Sequence, residues 1–157
     1  MYKLSRKAVK IMKIGIGSDH GGVNHKKYIT DHLTDLGHEV IDYGTDFDVP
    51  ADYPDIAEKV AKACIAGEFE RGILICGTGI GISISANKVK GIRAAHVTDC
   101  YSAKMAKEHN DAQIICLGER ITGPDLALEI VDSFLKAEHQ GGRHARRVEK
   151  IMNIEQA

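Results

Sequence analysis

The stretch Gly72-Ile73-Leu74-Ile75-Cys76-Gly77-Thr78-Gly79-Ile80-Gly81 constrains the fold of this chain more than any other. Its apolar run reads as a short strand buried on both faces, as parallel-sheet strands are. Glycine then alternates with other residues, which lets the backbone turn sharply and approach a ligand closely. Residues 82–88 can begin a helix. A strand, a glycine turn and a helix start bring free N–H groups and the positive end of a helix dipole to one point. Cys76 stands at the carboxyl end of the strand, where open α/β sheets bind ligands, and a nearby helix N-terminus favours a thiolate. Taken alone, the stretch fits a reactive thiol in a ligand site and also a tight turn around an inert buried cysteine. It is neither G-x-G-x-x-G nor a P-loop, because no Lys-Ser/Thr pair follows.

The rest of the chain repeats the same unit. Residues 12–18 alternate isoleucine and glycine and run into Asp19-His20-Gly21-Gly22, which reads as a strand and a ligand-facing turn. Ile29, Leu33 and Leu36 then recur at helical spacing, with Gly37 as the stop. A second strand is expected over 40–43, and a polar loop over 44–53. Pro54 suits the first turn of a helix whose buried face is Ile56, Val60, Ala63 and Cys64. A fourth strand is expected over 91–97, a helix over about 99–108 and a fifth strand over 113–117. Pro124 opens a helix with the stripe Leu126, Ile130, Val131 and Phe134. His96, Cys100 and Cys116 read as structural. This alternation predicts a single doubly wound, Rossmann-like α/β domain of about five parallel strands with helices on both faces.

The domain occupies residues 12–157. Residues 1–11 carry Lys3, Arg6, Lys7 and Lys10 with little periodicity, and read as a poorly ordered extension or a basic targeting arm. With 21 basic and 22 acidic residues the net charge is −1, so nothing biases the chain toward nucleic acid or a membrane surface. No apolar run approaches the ~20 residues of a membrane span. The four cysteines lack C-x-x-C spacing, which argues against zinc and against a secreted disulfide scaffold, and points to a reducing cytoplasm.

If the sheet is parallel, Asp19 and His20 share an edge with Cys76. At the other end of the chain, Arg143 and Arg147 in Gly141-Gly142-Arg143-His144-Ala145-Arg146-Arg147 share a helix face. Permanently charged guanidinium forks beside a histidine suit phosphate.

Six motifs in order then resemble ribose-5-phosphate isomerase type B: Gly-Ser-Asp-His-Gly-Gly at 17–22, Asp-Tyr-Pro at 52–54, Ile-Cys-Gly-Thr-Gly-Ile-Gly-Ile at 75–82, His-Asn-Asp at 109–111, Gly-Glu-Arg at 118–120 and Gly-Gly-Arg-His at 141–144. The wider group includes galactose-6-phosphate and allose-6-phosphate isomerases. The resemblance covers residues 12 to about 155. It implies an aldose–ketose isomerase working through a cis-enediolate without metal or cofactor, with Cys76 as the base. One branch of the family uses a glutamate at the position held here by Ile82, so this chain resembles the cysteine branch. The resemblance implies that Gly77, Thr78, Gly79, Ile80 and Gly81 surround the enediolate oxygens, with Thr78 assisting. It also implies that His109 opens the furanose ring with help from Asp19. His20, Arg143 and Arg147 resemble the phosphate ligands, with Tyr53, Asn110, Arg120 and His144 as further binding residues. Family members are dimers or pairs of dimers whose sites use two chains. Two other readings stay open: the same chemistry on a six-carbon or other aldose phosphate, and a phosphate-binding module without catalysis.

Overall fold

A computed structural model describes residues 10–157. Of the expected extension over 1–11, residues 1–9 lie outside the described part. The elements in chain order are β1 (Lys13–Ser18), α1 (Val23–Asp35), β2 (Glu39–Asp42), α2 (Tyr53–Ile65), β3 (Arg71–Cys76), α3 (Ile80–Ala86), β4 (Ala94–His96), α4 (Cys100–Glu108), β5 (Ile114–Gly118), α5 (Pro124–Lys136) and α6 (Arg143–Ile154). The five strands form one sheet in the order β2-β1-β3-β5-β4, and every pairing is parallel. No helix among the described residues is long and apolar enough to cross a membrane.

The strands' period of two explains the layers. Ile14, Ile16, Ile73, Ile75, Ile115 and Leu117 face one side and bury against α1, α4 and α5. Leu74, Cys76, Ile114 and Cys116 face the other side and bury against α2 and α3. Burying each such isoleucine or leucine is worth roughly 1.5–3 kcal/mol. In β1 the alternate positions are glycines because Phe69, from the loop before β3, and Ile56 and Val60 of α2 press on them. A Cβ on Gly15 would overlap the Phe69 ring, and one on Gly17 would lie 2.9 Å from Ile56.

Several local expectations need correction: the second strand runs over Glu39–Asp42 rather than 40–43, and the helix after the glycine turn over Ile80–Ala86 rather than 82–88. The fourth strand is limited to Ala94–His96, because Gly91 takes φ +90° and the Arg93 amide donates to the Gln113 side chain at 2.8 Å. The fifth strand ends one residue later than expected, with Gly118 paired to Cys76. In α5 the buried stripe passes through Ala127, Ile130, Val131 and Phe134, while Leu126 points outward.

Parallel βα units send each helix from the carboxyl edge of the sheet back to the amino edge. The end of α5 is therefore at the amino edge, where the buried guanidinium of Arg71, the first residue of β3, donates to the Phe134 and Ala137 carbonyls at 3.1–3.3 Å. The end of α4 is there too, since Gln140 N donates to Glu108 O at 3.0 Å. The final helix α6 thus starts at the amino edge, and His144 is its one buried residue.

Candidate active site

Cys76 closes β3 at the carboxyl edge and is 4% exposed. Its Sγ accepts the Gly79 amide at 3.1 Å. That geometry requires glycine, because Gly79 has φ +79° and a Cβ there would lie 2.7 Å from the His96 ring and 2.8 Å from the Leu117 carbonyl carbon. Ile80 N donates to Thr78 Oγ1 at 3.2 Å, so the Thr78 hydroxyl proton is free to point elsewhere. Two of the five residues from Gly77 to Gly81 therefore have amides already engaged within the turn, one of them on the sulfur. Gly81 forms the floor under Tyr53, whose ring would meet an added Cβ at 2.7 Å.

The turn after β1 sits beside this loop. Asp19 N donates to Ile75 O at 3.2 Å, and buried Asp19 accepts the Gly21 amide through Oδ1 at 2.9 Å. An added Cβ on Gly21 would be 3.2 Å from Gly77 N, so the two turns touch. His20 is exposed, and its Nδ1 lies 3.1 Å from the Ala51 carbonyl. A carbonyl only accepts, so Nδ1 carries a proton and donates it there. From the turn after β5, Glu119 N donates to Cys76 O and Arg120 N to Gly77 O, both at 3.0 Å. The Arg120 guanidinium lies 2.9 Å from the Cβ position of Gly77.

The structure thus gathers Asp19, His20, Tyr53, Cys76, residues 77–81 and Arg120 at the carboxyl edge. It does not bring His109, Asn110, Arg143, His144 or Arg147 to them. His109 follows α4 and lies at the amino edge, where its ring stacks on His144 with centroids 4.1 Å apart and planes 5° apart. Burial, the His109 ring, Arg143, Arg147 and His139 push the His144 pKa below the ordinary histidine value, which keeps that ring neutral at pH 7. Among the described residues the arginines paired with carboxylates are Arg71 and Arg93, not Arg143 or Arg147.

Burial pushes the Cys116 and Cys64 thiols up, so both are inert. Ile82 is fully buried in the cluster against α2, which leaves no ionisable group at that position. Among the described residues no group of three or more His, Cys, Asp or Glu could hold a metal ion. Sequence reasoning assigned no role to His96, whose ring packs on Gly79, or to Glu119, whose carboxylate reaches the first turn of α1.

The sequence family described as Ribose/Galactose Isomerase matches residues 14–151. The chain belongs to that family. It is 50% identical over 144 residues to ribose-5-phosphate isomerase B of Escherichia coli, covering 92% of this chain and 97% of the relative. It is 49% identical to D-erythrulose-4-phosphate isomerase of Pectobacterium atrosepticum, covering 90% and 93%. Ribose-5-phosphate isomerase B of Clostridium thermocellum superposes with a TM-score of 0.91 at 63% identity, covering 92% of this chain and 98% of that one. The resemblance drawn from the six motifs holds, and the alternative of a non-catalytic binding module falls with it.

Proposed function

We propose that this isomerase interconverts ribose 5-phosphate and ribulose 5-phosphate through a cis-enediolate, in a site completed by two copies of the chain. The Cys76 thiolate takes the C2 proton of the open-chain aldose and returns it to C1. The observation that carries this reading is the Gly79 N–H on Cys76 Sγ at 3.1 Å, at the carboxyl end of a central strand. A donor aimed at sulfur stabilises the thiolate, which is the basic form. Free donors of the 77–81 turn and the Thr78 hydroxyl face the charge that develops on O1 and O2, with little reorganisation.

Ribose 5-phosphate must open before C2 is acidic, and His109 is assigned that proton transfer with Asp19. These two residues lie at opposite edges of one sheet, so one copy's amino edge has to meet the other copy's carboxyl edge. A two-fold axis does this twice, making two equal sites. Exposed Ile80 and Ile84 beside the glycine turn, and Ile151 and Ile154 on α6, offer apolar surface for such an interface. Arg143 and Arg147 of one copy, with His20 and Arg120 of the other, supply charge for the phosphate. No step needs a metal ion.

A second reading is favoured by the erythrulose-phosphate relative: the same proton transfer on a shorter or longer sugar phosphate. Chain length changes pocket depth and leaves the reacting atoms alone. Initial rates of the purified protein on ribose 5-phosphate, erythrose 4-phosphate, allose 6-phosphate and galactose 6-phosphate decide between them. The proposal expects the highest kcat/KM on ribose 5-phosphate, and a higher value on another sugar would replace it.

A further inference from the structure

The reaction as proposed leaves Glu119 unused, although it stands beside the site with its carboxylate held from several sides. Helix α1 begins after Gly22, which has no side chain to cap the amides of the first turn. Glu119 supplies the missing acceptor from the turn after β5. Its Oε2 accepts the His25 backbone N–H at 3.1 Å, and its Oε1 accepts Asn24 Nδ2 at 2.8 Å. A carboxylate also suits the positive end of a helix dipole. The buried His25 ring closes the other side: Nε2 donates to the Thr122 carbonyl at 2.6 Å, and Nδ1 lies 3.8 Å from Glu119 Oε2.

The consequence falls on the next residue. Glu119 N and Arg120 N dock on the Cys76 and Gly77 carbonyls at 3.0 Å, so the orientation of this turn sets where the Arg120 side chain goes. The Arg120 guanidinium lies over Gly77. Because α1 occupies the Glu119 oxygens, that carboxylate is not paired with the neighbouring guanidinium. We propose that Glu119 is a positioning residue that, by capping α1 from the β5–α5 turn, holds Arg120 over Gly77 for the anionic end of the sugar phosphate. This rests on the reading of the carboxyl edge as the sugar-phosphate site.

A double-mutant cycle on the intact protein tests it, with KM and kcat for ribose 5-phosphate measured in Glu119→Ala, Arg120→Ala and the double variant. Glu119→Ala is expected to raise KM about ten-fold with kcat changed less than about three-fold. Glu119→Gln is expected to restore most of it, since the amide oxygen can accept from His25 and the amide nitrogen can donate to a flipped Asn24. In the Arg120→Ala background, Glu119→Ala should add almost nothing. Independent, multiplying effects would overturn the proposal, as would an unchanged KM in Glu119→Ala. If Arg120→Ala leaves KM unmoved, Arg120 is no ligand and the proposal falls, while the role of Cys76 is judged separately by its own variant. Should Glu119→Ala fail to fold, Asn24→Ala breaks one of the two bonds and carries the same cycle with the same two outcomes.

Discussion

The carboxyl edge and the amino edge of the sheet hold similar polar residues in opposite ways. At the carboxyl edge Asp19 and Cys76 are buried at strand ends, and each accepts a backbone amide from its own turn. At the amino edge Arg143 and Arg147 project from α6 into solvent, and His109 is anchored by one stacked ring. The first edge is preorganised by backbone, which suits proton transfer, where small displacements are costly. The second presents flexible cations free of ion pairs with the described residues, which suits capture of a phosphate. Neither half contains the full set, and that division is the strongest reason for a two-copy site.

The largest expected effect breaks the carboxyl edge. Cys76→Ala should lower turnover at least ~10³-fold, the scale of removing a positioned base, with the fold retained because only one edge side chain is shortened. Circular dichroism beside steady-state rates checks both parts, and full activity would remove the mechanism.

The next effect separates the edges by chemistry. Ribulose 5-phosphate is already open, since its ketone is at C2 and O5 carries the phosphate. His109→Asn should lose about 10²-fold or more on ribose 5-phosphate while keeping much of the solvent-deuterium exchange at C1 of ribulose 5-phosphate. Cys76→Ala should lose both. Equal losses in His109→Asn, followed by NMR, would move the histidine into the enediolate step.

A smaller effect belongs to the phosphate side. Arg147→Ala should raise KM about ten-fold, with a lesser loss of kcat because remote binding also serves the transition state. Unchanged kinetics in both Arg143→Ala and Arg147→Ala would withdraw the phosphate assignment. The smallest effect is none: dialysis against EDTA should leave activity intact, and a loss restored by divalent ion would refute a metal-free reaction.

The fold was legible in the sequence where pattern and environment agree. Residues 72–76 are continuously apolar because β3 is covered on both faces, and all six residues of the strand are buried. Residues 91–97 look like strand throughout, but only Ala94–His96 pair, because the Arg93 amide is tied to the Gln113 side chain. Family membership was legible from six ordered motifs. Which residues meet was not, because a motif carries no information about the edge to which its helix returns. His109 and Cys76 both read as site residues, yet α4 carries one away from the other. Glu119 stood in a recognised motif, but its contact with α1 comes from residues 94–95 positions earlier, beyond any local signal. The one hint was Gly22, a helix start without its own cap.

The two-copy site is tested most directly by mixing two inactive proteins. Cys76→Ala has an intact amino edge and His109→Asn an intact carboxyl edge. If sites form between copies, a mixed dimer holds one doubly damaged site and one undamaged site. Equal amounts, unfolded together and refolded, should then recover about a quarter of the wild-type turnover of ribose 5-phosphate, because half the dimers are mixed and each has one good site. Recovery no greater than the average of the two parents would mean that each chain carries its own complete site, and would contradict the account.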